Sequence, residues 1–139
     1  MSLFAALAIA GSGMAAESER LSAVASNIAN ANSTVTSSGG AYRAREVVFQ
    51  AVSQNDGIEE PPSIGMAGVT VAGVVESAAP LRTVYDPGSG FADPNGHVQM
   101  PNVNPVEEMV NMISAQQDYQ ANLEAFNVAK SLALRTLTI

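Results

Sequence analysis

The 139-residue chain has no cysteine, no tryptophan, one histidine and only six lysines and arginines. Without cysteine, neither a disulfide framework nor a thiolate metal site is possible. His97 alone does not favour a histidine-based catalytic triad or a zinc site. The net charge of −7 argues against nucleic acid as a partner, because phosphate binding needs clustered Lys and Arg. We therefore predict no catalytic, cofactor-binding or metal-binding residues.

Charge and long apolar runs are also scarce. Charged residues make up 14% of the chain and hydrophobic residues 47%, whereas soluble domains average about 25% charged. No run reaches the roughly 18 apolar residues that a membrane helix needs, so no membrane insertion is expected. Ala8-Ile9-Ala10 imitates a signal cleavage site, but no basic residue precedes Arg20, so the positive n-region is missing. We expect this segment to be retained and much of the surface to be buried by other chains.

Residues 3–30 follow a heptad pattern that predicts a long helix. Within this helix, Gly11-Ser12-Gly13 begins a match to the G-x-G-x-x-A dinucleotide fingerprint. The fingerprint also needs a second strand and an acidic residue about 20 positions on, and the following loop has neither. We interpret the small residues instead as sites where another helix can approach closely.

The middle of the chain is predicted to be rich in β-structure, with strands at about 42–52, 69–75, 81–85 and 97–100. The stretch 53–63 is a loop by composition. Asp93-Pro94-Asn95-Gly96 has the residues that a type I turn prefers at each position. Together these signals predict short strands joined by turns.

A second long helix is predicted over residues 106–137, where a heptad pattern follows Asn104 as N-cap, Pro105 at N1 and Glu107 at N3. The predicted fold class is therefore α+β. Residues 1–34 and 105–139 form a polymerisation domain in which the terminal helices pair as an α-helical coiled coil, and residues 35–104 form a small β-rich middle domain. The residues predicted to pack subunits together are the large apolar members of the two heptads: Leu7, Met14, Leu21, Val24, Ile28, Met109, Met112, Tyr119, Leu123 and Phe126.

The run from Arg20 to Thr34 resembles the signature of bacterial flagellar rod and hook proteins, the axial protein family, which is built around Asn27-Ile28-Ala29-Asn30. Further segments similar to members of that family are Tyr42-Arg43, Met100-Pro101-Asn102-Val103, Glu108-Met109-Val110-Asn111-Met112 and Tyr119-Gln120-Ala121-Asn122. Two interpretations of Asn27, Asn30 and Asn122 stay open. They satisfy backbone groups at helix ends or between subunits, or they are ordinary helix-exit asparagines.

The resemblance implies a structural subunit of the proximal rod, a hollow periplasmic drive shaft that transmits torque and passes exported subunits. It implies export by the flagellar type III apparatus without a cleaved signal. The implied partners are copies of the chain, other rod proteins, the MS-ring or rod adaptor at the base and distal rod subunits above. Gln117 stands where the C-terminal motif often has Arg, so no salt bridge between subunits is assigned there.

The alternative function is a periplasmic enzyme or cofactor-binding protein that enters by a conventional signal peptide. Its candidate carboxylates are Glu59, Glu60 and Asp86, which lie in loop-like sequence without a partner base. An intact N-terminus in purified basal bodies would distinguish the rod subunit from this alternative.

Overall fold

The computed structural model describes residues 3–34, 40–53 and 67–137. In chain order its elements are α1 (Leu3–Ala29), β1 (Arg45–Ser53), β2 (Ala67–Glu76), β3 (Arg82–Tyr85), β4 (His97–Met100) and α2 (Pro105–Leu137). The predicted α+β fold, with two long terminal helices around a small strand region, is confirmed. Most of the predicted loop at 53–63, including Glu59 and Glu60, lies outside the described residues.

The two helices pack antiparallel. Asn27 near the end of α1 donates a hydrogen bond to Glu108 in the first turn of α2. Two heptads earlier in α1, Gly13 lies against Asn122, which is two heptads further along α2. The register between the helices is therefore constant over this length.

Small residues allow the helices to come close together. A Cβ placed on Gly13 would lie 2.9 Å from Nδ2 of Asn122, which is closer than van der Waals contact allows. Ala10 and Ala16 of α1 are buried, as are Ala115 and Ala129 of α2. The G-x-G-x-x-A run thus lies inside a helix, at its contact with a second helix, and forms no strand-to-helix phosphate loop.

The strands form two separate antiparallel hairpins in the part of the chain that the structure describes. In the first, Arg45 of β1 pairs with Glu76 of β2, and the register shifts between Val48 and Phe49. This hairpin lies along α1, where the backbone N–H of Val69 donates to Oγ of Ser12 at 3.0 Å. In the second hairpin, Arg82 of β3 pairs with Met100 of β4.

The turn before β4 forms as predicted. The N–H of Gly96 donates to the carbonyl of Asp93 at 2.9 Å, and Oδ1 of Asp93 accepts from the N–H groups of Asn95 and His97. Gly96 has a φ of 79°, a conformation that glycine adopts without the steric cost of a Cβ. The sequence of the turn therefore determines its geometry.

Asn104 caps α2 as predicted, because its Oδ1 accepts from the N–H of Val106 at 3.2 Å. A small cluster of buried residues fills the junction between the end of α1, the approach to β1 and the approach to α2; its members are Ala31, Tyr42, Ala44 and Val103. Neither helix, over its described residues, has an apolar stretch long enough to cross a bilayer.

Candidate assembly surface

Asn27 is the most connected polar side chain at this junction, and it is 1% exposed. Its Oδ1 accepts hydrogen bonds from the N–H of Arg45 at 2.8 Å and from the hydroxyl of Tyr42 at 2.9 Å. Its Nδ2 donates to the carbonyl of Arg45 and to Oε2 of Glu108, both at 2.9 Å. All four hydrogen bonds that an amide side chain offers are made, and they join α1, β1 and α2.

The three asparagines differ in what their side chains contact. Asn27 satisfies backbone groups, since it binds both the N–H and the carbonyl of Arg45. Asn30 follows the end of α1 and also satisfies a backbone group there, since its Nδ2 donates to the carbonyl of Ser26 at 2.9 Å. Asn122 lies in the contact between the helices, beside Gly13.

Asn102 makes a second junction that the sequence did not reveal. Its Oδ1 accepts from the N–H of Ala44 at 2.8 Å, and its Nδ2 donates to the carbonyl of Ala79 at 3.0 Å. The guanidinium of Arg43 donates to the carbonyls of Ser77 and Ala79. These hydrogen bonds connect the segment before β1 with the segment after β2 and the segment before α2. The only signal in the sequence was that Arg43 and Asn102 belong to the segments that carry the family resemblance.

An ionic cluster lies between the helices: the guanidinium of Arg20 is 3.5 Å from Oε2 of Glu17 and 3.6 Å from Oδ2 of Asp118. The side chain of Glu17 is 12% exposed, and its Oε2 has no hydrogen-bond partner among the described residues. Burial raises the pKa of Glu17 above its usual 4.5, against the attraction of Arg20. Two carboxylates therefore share one cation at the contact between α1 and α2.

The predicted packing residues are buried to different degrees in the single chain. Val24 is buried, and Met112, Tyr119 and Phe126 are half-buried. Leu7, Met14, Leu21 and Ile28 are also only half-buried, while Met109 is 53% and Leu123 40% exposed. Between the helices, Gly13 lies against Asn122 and Asn27 binds Glu108. Ala115 and Ala129, at the same heptad position of α2 as Glu108 and Asn122, are buried. These residues come one position before the heptad position that holds Met14, Ile28, Met109 and Leu123.

In each helix, the residues at one predicted heptad position therefore come directly after, in the sequence, the residues that contact the other helix. Advancing one residue turns a helix by about 100°. Because α1 and α2 run in opposite directions, this turn brings both sets of side chains to the same side of the pair. We call this side the assembly face, and its members are Leu7, Met14, Leu21, Ile28, Met109 and Leu123.

The assembly face lies away from the first hairpin. The hairpin contacts α1 at Ser12, and a cleft between them is lined by Ala8, Ile9 and Val69. Ser12 and Met14 are two residues apart, which places them about 200° apart around the helix. One side of the helix pair is therefore covered by β-structure, and the opposite side presents large apolar side chains without a covering element among the described residues.

His97 and Asp86, which the sequence offers as candidates for chemistry, lie at exposed positions in or beside turns. His97 is exposed, with its Nδ1 3.8 Å from Oδ1 of Asp93 and its ring edge-on to Tyr85. The hydrogen bond from the N–H of His97 lowers the pKa of Asp93. Oδ1 of Asp86 accepts from the N–H of Gly88 within a turn. No group of three Asp, Glu or His side chains that could hold a metal occurs within the described ranges.

Two protein-family models match this chain, one over α1 and the other over α2. The family model described as "Flagella basal body rod protein" matches residues 7–35, and the one described as "Flagellar basal body rod FlgEFG protein C-terminal" matches residues 95–139. The first segment contains Asn27 and the second contains Asn102 and Glu108, so most of the side chains that form the two junctions lie in the matched segments.

Curated relatives extend this match to the whole chain. The flagellar basal-body rod protein FlgC of Salmonella typhimurium is 49% identical over 139 residues, which cover 100% of this chain and 98% of the relative. FlgC of Yersinia enterocolitica is 48% identical with the same coverage, and FlgC of Borreliella burgdorferi is 36% identical over 150 residues. The chain has two paired terminal helices and is similar to these proteins over its full length. It therefore belongs to the FlgC family of flagellar basal-body rod proteins and is a structural subunit of that rod.

Proposed function

We propose that the chain polymerises through its terminal helices, so that α1 and α2 form part of a hollow tube and the hairpins lie outside it. The observation that carries this proposal is the assembly face, where Leu7, Met14, Leu21 and Ile28 are only half-buried in the single chain. Full burial of a large apolar side chain stabilises a contact by roughly 1.5–3 kcal/mol. Neighbouring helices that cover this face would supply the part of this burial that the single chain lacks, at every subunit.

The proposed partners are copies of the chain, other rod proteins, the MS-ring or rod adaptor at the base and distal rod subunits above. We further propose that the subunit is non-catalytic, lies in the periplasmic rod, transmits torque and lines the path of exported subunits. Export would use the flagellar type III apparatus without signal cleavage. In support, Ala5 and Ala10 are buried in α1, and cleavage after Ala10 would remove the first turns of this helix.

The experiment that tests polymerisation through the helices is Leu21→Asp. A charge without a partner at a buried contact costs several kcal/mol, and this cost recurs at every copy. We expect cells with this variant to be non-motile and their basal bodies to lack a complete rod. The matched control is Asn95→Asp, which adds the same charge at an exposed turn position and should leave motility unchanged.

Folding and assembly are separated by a measurement on the purified monomer. Leu21 is half-buried in the single chain, so the variant should retain a cooperative unfolding transition and normal helix content. Motile cells with complete rods that contain Leu21→Asp protein at normal amounts would show that the assembly face is not a contact between subunits.

A further inference from the structure

The outer face of the second hairpin is both polar and aromatic. Thr83 pairs with Gln99 and Tyr85 pairs with His97, and residues that pair in an antiparallel sheet lie on the same face. All four of these residues are exposed, whereas Val98, on the other face, is 4% exposed. One face of the hairpin therefore packs inwards, and the other presents two rings, a hydroxyl and an amide to solvent.

Tyr85 is held in place although it is 67% exposed. A Cβ added at Gly96 would lie 2.9 Å from Cε2 of Tyr85, so the tyrosine ring lies against the turn that contains Gly96. The ring of His97 meets it edge-on, with 5.4 Å between the two centroids. A ring that is fixed before a ligand arrives loses little conformational entropy on binding.

A second exposed ring comes from the segment between β3 and β4. Phe91 is 63% exposed, and its N–H donates to Oγ of Ser89 at 3.4 Å. A cleft of about 570 Å³ lies beside it, and the residues that line this cleft include Thr34, Thr83, Phe91, Asp93, His97 and Gln99. Sites for small ligands commonly have volumes of about 300–1,000 Å³.

The side chains of the cleft select a class of ligand. Among the described residues that line it there is no Lys or Arg, so the cleft does not suit a phosphate or another anion. The hydroxyl of Thr83, the carboxylate of Asp93 and the amide of Gln99 provide hydrogen-bond donors and acceptors, and the ring faces provide apolar surface. A neutral oligosaccharide has the matching chemistry, because each sugar ring has C–H groups on its faces and hydroxyl groups around its edge.

We propose that this face of the second hairpin binds a neutral oligosaccharide, with sugar rings stacked on Tyr85 and Phe91 and hydroxyl groups bonded to Thr83, Asp93 and Gln99. A protein partner fits less well, because the cores of protein contacts are depleted of charged residues, whereas Asp93 lies within the cleft. The site goes beyond the proposed polymerisation and does not depend on it, since among the described helices and strands β3 and β4 contact only each other.

Titration of the purified, isotope-labelled full chain with cellotetraose, and separately with chitotetraose, tests the proposal by amide NMR. At least one of these neutral oligosaccharides should cause saturable shifts at the N–H groups of Thr83, His97 and Gln99. Saturation by chitotetraose alone would add that acetamido groups are recognised, and saturation by both would show that hydroxyl groups suffice.

Ring substitutions locate the site. Tyr85→Leu and Phe91→Leu should each weaken binding by about tenfold, because each removes a stacking contact. Tyr85→Phe keeps the ring and should bind as the natural chain does. The matched control is Phe4→Leu, which removes an exposed ring from α1 and should leave the affinity unchanged. Hydrogen-exchange protection retained in β3 and β4 shows that the hairpin of each variant is folded.

Three outcomes would overturn the proposal. Neither oligosaccharide causes saturable shifts; the shifts fall on the helices instead of the second hairpin; or folded Tyr85→Leu and Phe91→Leu bind as tightly as the natural chain. In the first case, labelling of Phe91→Cys with a maleimide identifies the other occupant. Protection of this thiol in intact basal bodies, but not in the purified chain, would assign the face to a protein contact.

Discussion

Nδ2 of Asn27 lies 2.9 Å from Oε2 of Glu108, although the two residues are 81 positions apart in the chain. The same asparagine holds the backbone of β1 through Arg45. The last turns of α1, the start of β1 and the first turn of α2 are therefore positioned by one amide group. Substitutions at this site should affect the whole junction.

Asn27→Ala should lower the free energy of unfolding by about 2–4 kcal/mol, because it removes four hydrogen bonds and leaves buried polar groups without partners. Urea denaturation of the purified chain measures this change. Asn32→Ala, at an exposed position nearby, should change the free energy by less than about 0.5 kcal/mol. Equal effects of the two substitutions would contradict the role of Asn27.

The two glycines of α1 should respond to alanine with opposite signs. Apart from the backbone of its own helix and its chain neighbours, nothing described lies within 4 Å of a Cβ added at Gly11, so Gly11→Ala should stabilise the helix by about 0.5–1 kcal/mol. At Gly13 the added Cβ would lie 2.9 Å from Nδ2 of Asn122, so Gly13→Ala should destabilise the pair. Thermal unfolding distinguishes the two, and adding Asn122→Ala should recover most of the loss at Gly13. A stabilising Gly13→Ala would exclude a close approach of the helices there.

Glu17 should make the stability of the helix pair depend on pH. Its folded pKa is raised above 4.5 by burial, so the folded state binds this proton more tightly than the unfolded state. The contribution of Glu17 to stability is therefore present below about pH 4.5 and is lost as pH rises through the folded pKa.

Glu17→Gln should consequently stabilise the chain at neutral pH, and this advantage should disappear in acid. Denaturation of the variant and the natural chain at both pH values provides the measurement. The matched control is Glu19→Gln, at an exposed position of the same helix, which should change the free energy of unfolding at neutral pH by less than about 0.5 kcal/mol. An advantage of Glu17→Gln that persists in acid would rule out burial of the carboxylate as its cause.

Gly96→Ala should weaken the second hairpin. The residue has a φ of 79°, and an added Cβ would lie 2.9 Å from Cε2 of Tyr85. The strained backbone alone should cost about 1–2 kcal/mol. Hydrogen exchange should become faster in β3 and β4 while protection of α1 is retained. Unchanged exchange in β4 would show that the turn tolerates a side chain.

Elements with strong local signals were predictable from the sequence. Asn104 and Pro105 predicted the start of α2, and the residues from Asp93 to Gly96 predicted their turn, because capping and turn preferences act over a few residues. Both helices were predictable because the heptad pattern extends over nearly their full length.

The residues that face the other helix were only half predictable. Large apolar side chains define the heptad pattern, whereas the contact within the chain is made where Gly13 and Ala115 permit close approach. Packing of small residues leaves no strong periodic signal. The role of Asn27 was open for a different reason: its partners belong to the backbone of β1 and to Glu108, which only the folded chain brings together.

The first hairpin is attached to α1 at two separate places. Asn27 binds the backbone of Arg45 at one end, and Ser12 binds the N–H of Val69 towards the other. These attachment points are about 22 Å apart along the helix. A single attachment would act as a pivot, whereas two separated attachments resist rotation. A bending or twisting load applied to α1 would therefore be shared by the helix and the hairpin, which would move together as one rigid unit.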